Sequence, residues 1–423
     1  MKRYLVLQLA RLGDLLQSKR LVLTLEALGE THLAVDVSLE PIAGLIYPSA
    51  VIHPVRAHAG EADASEVFRH NLRCFTALRE LDFEQVYNLN RNPLNLALAG
   101  LFEPERVVGY RLENGQPTGS LWGKMAVRWT GDRRSSPLNL MDFWAFFHPF
   151  PLAAEKVNPV ARLKNQPGSH PGQRLGVVLA GRAARRSLPP SILAPVLEAL
   201  FQGRKGPSFV LLGGGNEQAS ARLLLKKLPL PVQRKTEDLT GKTSLTDLPE
   251  IIRETDLLLT PDTGLMHLAA HLGTPVSALF LSSAWAWETG PYGLGHMVWQ
   301  ALSPCSPCLE NAPCRRETAC LKAFSSPAWL AHLAGKRPAS RTRTEEPLGL
   351  VSGLDDLGAT YLSLEGNAIP SLEERRARRG LLAAFLNLPP LPGASFSGTP
   401  ETAPRLLEEK DWMLPDYGWR KEN

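Results

Sequence analysis

The stretch DLLLTPDTGLMHLAAHLGTPVSALFL, which runs from Asp256 to Leu281, constrains the fold more than any other part of the sequence. Residues 263–287 contain no Asp, Glu, Lys or Arg. A run of this length is long enough for a membrane-spanning helix. Gly273-Thr274-Pro275 interrupts this run, ends a helix of about ten residues and precedes a short apolar strand. The stretch therefore predicts a strand, a tight turn, a helix and a second strand, which is a βαβ unit and not a membrane span.

The same alternation of apolar strands and helical stretches continues on both sides of this unit. In the first half, strands are predicted at YLVLQLA, THLAVDVS, FEQVYNLN and RVVGY, and in the second half at RLGVVLAG, SFVLLGGG and MVWQAL. A Pro-, Gly- and Asn-rich passage near residues 158–172 separates the two series. We therefore predict an α/β protein with two doubly wound, Rossmann-like domains, residues 1–160 and 173–335. Residues 336–423 are predicted to form a linker and a helical C-terminal extension, since Ser371 and Glu374 make a capping-box pattern.

The composition fits a globular protein and gives no argument for nucleic acid. At 423 residues, the chain exceeds what one hydrophobic core usually supports. It is 44% hydrophobic, and its net charge of +5 is too thinly spread to indicate nucleic-acid binding, although it suits an anionic substrate. Arg11 and Asp14 interrupt the apolar N-terminal run, so we predict a first strand there rather than a secretion signal, and a cytoplasmic protein.

The polar residues after the predicted strands are the candidate ligand contacts, because open α/β sheets bind ligands beyond the carboxyl ends of their strands. A helix that begins at Thr263 and Gly264 directs backbone N–H groups and its positive dipole end out of this edge, which favours a phosphate. Asp262 suits two roles, a cap for this helix or a contact with the sugar of a ligand. The other strand-end candidates are Gly13 and Asp14 in the first half, and Arg182, Gly213 and Gly214 in the second.

Several motifs together resemble those of glycosyltransferase family 9, the lipopolysaccharide heptosyltransferases. The longest is DTGLMHLAAHLGTPVSALF, from Asp262 to Phe280. The others are RLGD from Arg11, LTGKTSL from Leu239, TGPYG from Thr289 and CSPC from Cys305. The resemblance spans residues 1–325.

The resemblance implies the GT-B fold, in which two Rossmann-like domains face a cleft, the first binding the acceptor and the second a nucleotide-sugar donor. It implies transfer of a sugar, typically heptose from ADP-heptose, onto a lipopolysaccharide core or a related surface glycan. It also implies inversion at the anomeric carbon without a metal or other cofactor, and no Asp-x-Asp motif follows a predicted strand. Asp14 matches the family's general base. Capping of the following helix, LLQSKRLVLTLEAL, is the structural alternative for Asp14.

Two departures from the family pattern bear on the donor. Arg186 stands where the family commonly has a Lys that stabilises the departing diphosphate, and Arg and Lys are not interchangeable. Leu281-Ser282-Ser283 replaces a Gly-Pro-Thr or Gly-Pro-Ser triplet, and the Trp285 and Trp287 that follow either line the cleft or pack in the core. His267, one turn into the helix, either donates to the ligand or packs.

Four cysteines form the pattern C-x2-C-x5-C-x5-C, at Cys305, Cys308, Cys314 and Cys320. Four thiolates so close in sequence suit a structural zinc or iron–sulfur cluster, although only the first pair has ordinary metal-ligand spacing. Such a cluster would brace a loop and take no part in the chemistry.

The acceptor side is expected to be basic, with Trp122 and Trp129 interleaved among cations that face an anionic glycolipid or form a solvated loop. These cations are Arg106, Arg111, Lys124, Arg128, Arg133 and Arg134. Three placements are open for the tail helix: packing on the core, contact with a partner protein, or contact with a membrane surface. The last would be a peripheral contact with the inner face of the inner membrane. Two other functions stay open: a GT-B sugar-nucleotide epimerase or hydrolase, and a catalytically silent nucleotide-binding protein.

Overall fold

The computed structural model describes residues 1–58, 63–124, 133–160, 173–179, 184–309, 313–336, 346–364 and 366–393. Within these ranges the chain forms two units. The first contains residues 1–124 and 140–157, and the second contains residues 133–139 and 158–393. Each unit has one mostly parallel sheet with helices in its connections. No helix in the described ranges is both long enough and apolar enough to cross a membrane.

The sheet of the first unit has six strands in the order β3-β2-β1-β4-β5-β6, parallel except for β6. They are β1 (Arg3–Gln8), β2 (Glu30–Asp36), β3 (Val51–Val55), β4 (Gln85–Asn88), β5 (Val107–Glu113) and β6 (Gln116–Gly119). The helices are α1 (Leu12–Gln17), α2 (Lys19–Glu26), α3 (Glu40–Ile46), α4 (Ala64–Glu80), α5 (Pro93–Ala99) and α6 (Leu140–Ala145). Fully buried Leu5, Leu7 and Val86 anchor a core between the strands and the helices.

The sheet of the second unit has eight strands in the order β14-β13-β12-β11-β10-β7-β8-β9, parallel from β12 to β9. They are β7 (Arg174–Val178), β8 (Ser208–Leu212), β9 (Thr236–Asp238), β10 (Leu257–Pro261), β11 (Val276–Phe280), β12 (Met297–Gln300), β13 (Leu348–Leu354) and β14 (Ala359–Ser363). The helices are α7 (Pro190–Gly203), α8 (Gln218–Lys227), α9 (Leu230–Gln233), α10 (Leu248–Arg253), α11 (Gly264–His271), α12 (Ala286–Thr289), α13 (Pro327–Leu333) and α14 (Leu372–Phe385).

Both sheets have the doubly wound order, in which the first strand is central and the chain returns to build on its other side. The predicted fold class, an α/β protein with two doubly wound, Rossmann-like units, is confirmed. Every strand predicted from the sequence is present, and the βαβ unit is β10, α11 and β11.

The C-terminal extension holds more than a linker and a helix. Residues 348–363 form β13 and β14, which add to the second sheet in antiparallel fashion beside β12. Helix α14 begins after Ser371 as predicted, but Ser371 has a left-handed backbone (φ 51°) and its side chain makes no capping bond.

Candidate functional site

The candidate site lies in the second unit, at the carboxyl end of β10. The strand order of the sheet reverses between β7 and β10, which is where doubly wound sheets bind ligands. Helix α11 begins directly after β10, and Thr263 is its N-cap: the Thr263 hydroxyl accepts a hydrogen bond from the Met266 N–H at 3.4 Å. The capping alternative for Asp262 is therefore wrong, and Gly264 is the first residue of the helix. The first amides of α11 point out of this edge of the sheet.

Asp262 instead holds two side chains from other parts of the unit. Its Oδ2 accepts a hydrogen bond from Thr289 Oγ1 at 2.8 Å and forms an ion pair with Arg186, and Arg186 Nη2 also donates to the Asp262 carbonyl at 3.2 Å. Both charged side chains are largely buried, with 12% of Arg186 and 6% of Asp262 exposed. The structure thus brings three predicted site residues together at the start of α11, namely Asp262, Thr263 and Arg186.

His267 lies one turn into α11 and is 5% exposed. Burial lowers its pKa to about 4, with Arg186 adding to the shift and Asp262 opposing it. The imidazole is therefore neutral near pH 7 and supplies no positive charge to a phosphate. Its burial favours the packing interpretation.

A second ion pair lies beside this network and was not predicted from the sequence. Arg133 binds Glu288 with two nitrogens, Nε at 3.0 Å and Nη2 at 2.6 Å from Oε2. Arg133 also donates to the carbonyls of Ser283 at 2.7 Å and Cys308 at 2.9 Å. Burial raises the pKa of Glu288, and the guanidinium of Arg133 opposes that rise. No sequence signal links the two partners, because 155 residues separate them.

The expected basic acceptor surface is therefore partly wrong. Arg133 and Arg134 belong to the second unit, where Arg134 donates to the Ser306 carbonyl at 2.9 Å. In the first unit, Arg106 pairs with Asp82, Arg111 lies 3.7 Å from Glu113, and Trp122 is buried. Arg128 and Trp129 lie outside the described residues.

The loop after β11 carries the aromatic pair. Trp285 and Trp287 are 1% and 5% exposed, and their ring centroids are 4.8 Å apart. The packing alternative is therefore confirmed for both. Ser282, in the triplet that departs from the family pattern, adopts a left-handed backbone with φ 61°, which a non-glycine residue adopts only at a conformational cost.

The other described strand-end residues make contacts within their own units. Asp14 is in α1 of the first unit, where its Oδ2 accepts a hydrogen bond from the Arg11 N–H at 3.2 Å, so it makes the contact of a capping box. Gly13 precedes it in the same helix. The N–H of Gly214 donates to Glu217 at 2.7 Å, and a Cβ on Gly213 would approach the Glu217 side chain at 2.8 Å. Arg182 lies outside the described residues.

The structure does not support the predicted cluster at the four cysteines. Cys305, Cys308, Cys314 and Cys320 are free thiols, and Cys308 Sγ lies 3.3 Å from Ser282 Oγ. Among the described residues, no three or more His, Cys, Asp or Glu side chains are arranged to hold a metal ion.

Comparisons with known proteins agree with the sequence motifs. Residues 196–318 match the profile of glycosyltransferase family 9 (heptosyltransferase). Among solved structures, the ADP-heptose lps heptosyltransferase II of E. coli aligns with a TM-score of 0.52 and 18% identity, over 72% of this chain and 91% of that protein. The glycosyl transferase family 9 protein of Veillonella parvula aligns with a TM-score of 0.53 and 17% identity, over 69% and 83%. No curated protein sequence gives a significant match.

Proposed function

We propose that this chain, a glycosyltransferase with the sequence match and the fold of family 9, transfers heptose from ADP-heptose to a lipopolysaccharide core or a related surface glycan. The displacement would invert the anomeric carbon and need no metal. The second unit would bind the donor and the first unit the acceptor. The similar E. coli protein is an ADP-heptose lps heptosyltransferase, and this supports the choice of donor.

The observation that carries the proposal is the network at the start of α11. The helix amides and the Arg186 guanidinium lie together at the carboxyl edge of the sheet. Positive charge of this kind stabilises the diphosphate as it leaves with a growing negative charge. The ion pair with Asp262 holds Arg186 in place and offsets both charges, so the carboxylate does not repel a phosphate and the partial positive charge of the helix amides remains to attract it.

Asp14 is the proposed general base, which removes the proton of the acceptor hydroxyl. Its carboxylate is only partly buried, and one backbone N–H is bound to it in the described structure. A carboxylate has more than one acceptor site, so a capping contact and a proton-accepting role are compatible.

Calorimetric titration of the full-length protein with ADP, UDP, GDP and their sugar conjugates tests the donor. We expect ADP compounds to bind, Thr263→Val and Arg186→Met to weaken binding, and Asp14→Asn to leave it unchanged. Transfer to a purified lipopolysaccharide core in the presence of a chelator tests the reaction. Asp14→Asn should reduce the turnover by about a hundredfold or more, as expected for loss of a general base.

The same assays separate the alternatives. Release of free sugar or of an epimer without acceptor would identify a hydrolase or an epimerase, and binding without any turnover would identify a silent nucleotide-binding protein. Absence of binding to every nucleotide would defeat the proposal.

Helix α4 supports the further proposal of peripheral membrane contact. Phe68 and Leu72 lie one turn apart on α4 and are 65% and 52% exposed, and the exposed Arg69 and Arg73 stand beside them. An apolar pair flanked by arginines suits the interface of an anionic membrane. We expect sedimentation with vesicles containing phosphatidylglycerol, and loss of that sedimentation in the double variant Phe68→Ser, Leu72→Ser. Equal sedimentation of the variant and the unchanged protein would contradict this contact.

A further inference from the structure

Two arginines of the tail helix α14 are buried, although the helix lies outside the segment that matches family 9. Arg375 is 3% exposed and Arg379 is 8% exposed. A buried guanidinium is costly unless its donors are satisfied, so its partners indicate what the burial achieves.

Arg375 connects α14 to two other segments of the second unit. Its Nε donates to the Ser136 carbonyl at 3.1 Å and its Nη2 donates to the Arg134 carbonyl. Its guanidinium carbon lies 4.0 Å from the centroid of the Trp287 ring, in cation–π geometry. One side chain therefore fixes both the backbone of residues 134–136 and the aromatic residue of α12.

The backbone that Arg375 holds is the one that presents Arg133 to the candidate site. Arg133 directly precedes Arg134 and binds Glu288, which is 2% exposed. The carbonyls of Ser283 and Cys308 also accept from Arg133. A shift of this backbone would therefore move the partner of a buried carboxylate, and such groups tolerate loss of their partner poorly.

The ring that Arg375 covers belongs to the same short helix as the site residue Thr289. Trp287, Glu288 and Thr289 are consecutive in α12, and Thr289 Oγ1 donates to Asp262. A helix of four residues does not hold its own geometry, so tertiary contacts determine where Thr289 lies. Arg375 reaches α12 twice, directly through Trp287 and indirectly through Arg133 and Glu288.

We propose that Arg375 is a positioning residue for the nucleotide-sugar site, which holds Thr289, and through it Asp262 and Arg186, in the geometry that binds the donor diphosphate. The identity of the ligand as a nucleotide-sugar donor rests on the proposed function, whereas the positioning of α12 by Arg375 does not. The tail helix is thus a working part of the donor site.

Arg379 provides the structural comparison on the same helix. It binds both carboxylate oxygens of Asp355, at 2.6 and 2.7 Å, and donates to the Pro137 carbonyl at 2.7 Å. These contacts anchor α14 to the end of β13 and to Pro137 rather than to α12. Arg376 is exposed on the same helix and is the matched control for Arg375.

The test compares Arg375→Met, Arg375→Lys, Arg379→Met and Arg376→Met in the full-length protein. The readouts are ADP titration, donor KM and kcat, thermal unfolding, and hydrogen exchange of residues 283–291. For Arg375→Met we expect ADP binding weaker by about tenfold, with a matching rise in donor KM and a smaller change in kcat. Hydrogen exchange in residues 283–291 should rise.

Arg375→Lys should recover part of the lost ADP binding, because the charge over Trp287 remains while the planar fork of the guanidinium is lost. Arg376→Met should behave as the unchanged protein.

Unchanged ADP binding and unchanged exchange in Arg375→Met would overturn the proposal. So would an equal loss of ADP binding in Arg379→Met, because the effect would then follow the anchoring of α14 in general. If the unchanged protein binds no nucleotide, the proposed function fails, and exchange in residues 283–291 alone decides whether Arg375 positions α12.

Discussion

At the residue scale, the candidate site depends on a carboxylate that acts as a connector. Asp262 is nearly buried, and Arg186 and Thr289 both bind its Oδ2, so the acid joins α12 to the loop before α7. This explains why an acid is tolerated beside a proposed phosphate site. It also makes the Thr289 hydroxyl a point at which the network can be tested.

Thr289→Val removes the hydroxyl that donates to Asp262 and keeps the shape of the side chain. A hydrogen bond to a charged group contributes more than a neutral one, so we expect unfolding in urea to show a loss of about 1 to 2 kcal/mol. Thr289→Ser keeps the hydroxyl and serves as the control. A Thr289→Val protein as stable as the unchanged protein would show that the hydrogen bond to Asp262 contributes nothing measurable to the free energy of unfolding.

His296 makes the stability depend on pH. It is fully buried, and burial lowers its pKa from 6.5 to about 4. The unfolded chain therefore binds more protons than the folded chain between these two values, so stability is complete above about pH 6.5 and falls as the pH drops toward 4. One such group changes the free energy of unfolding by about 3 kcal/mol across this pH range.

We expect His296→Leu to make this part of the pH profile less steep, because the share of His296 is removed while buried His267 keeps its own lowered pKa. The profile is the free energy of unfolding in urea between pH 4 and pH 8. Above pH 6.5 the difference between the two proteins should be constant, which makes that range the internal control. Parallel profiles over the whole range would contradict the assignment of the acid sensitivity to His296.

At the element scale, short helices are placed by their neighbours. Gly290 ends α12 with φ −62° and ψ 163°, a backbone conformation that alanine adopts without strain. Space is the constraint, because a Cβ there would lie 2.5 Å from the Ala286 carbonyl oxygen and against the Tyr361 hydroxyl. The glycine lets β14 and α12 approach each other.

Gly290→Ala should therefore destabilise the second unit by about 1 to 3 kcal/mol, the usual cost of overpacking. Thermal and urea unfolding measure the effect. Gly215→Ala is the matched control, since a Cβ at Gly215 meets no atom within 4 Å. A Gly290→Ala protein as stable as Gly215→Ala would show that β14 moves to make room for the methyl group at little cost in free energy.

The sequence predicted those elements whose signals are local. Apolar runs followed by Gly or polar turns marked the strands, and the DTG turn located Thr263 and Asp262. The predicted helix LLQSKRLVLTLEAL is instead two helices, α1 and α2. The break occurs at Ser18, whose hydroxyl donates to the Leu15 carbonyl at 2.7 Å and so competes with the helical pattern.

The elements and contacts that depend on remote partners were not predictable in this way. Strands β13 and β14 pair in antiparallel fashion beside β12, about fifty residues further along than the last predicted strand, and their pattern GLVSGL carries little strand signal. The contact between Arg375 and Ser136 spans 239 residues and the Arg133–Glu288 pair spans 155. No local periodicity or motif encodes such pairs.

At the scale of the whole molecule, the two units share one plan and differ at one edge. Both sheets place their first strand in the centre, and in both a helix with a glycine among its first two residues follows a central strand. The second sheet is extended by β13 and β14, which come from the part of the chain beyond the family match. The extension is therefore part of the core of this unit.

Truncation tests whether the second unit needs this extension. Leu348 and Leu350 of β13 are fully buried and Tyr361 of β14 is 3% exposed, while β13 supplies the hydrogen-bonding partners of β12. A chain that ends after residue 345 would leave β12 as an unpaired edge and expose the apolar surface that these side chains cover. We expect this shortened chain to aggregate or to lose cooperative unfolding, judged by its soluble fraction and by calorimetry.

A chain that ends after residue 393 keeps β13, β14 and α14, and is the control. If the chain ending at residue 345 were soluble and unfolded at the same temperature as the control, β12 would be a stable edge by itself. The second unit would then fold without β13, β14 and α14.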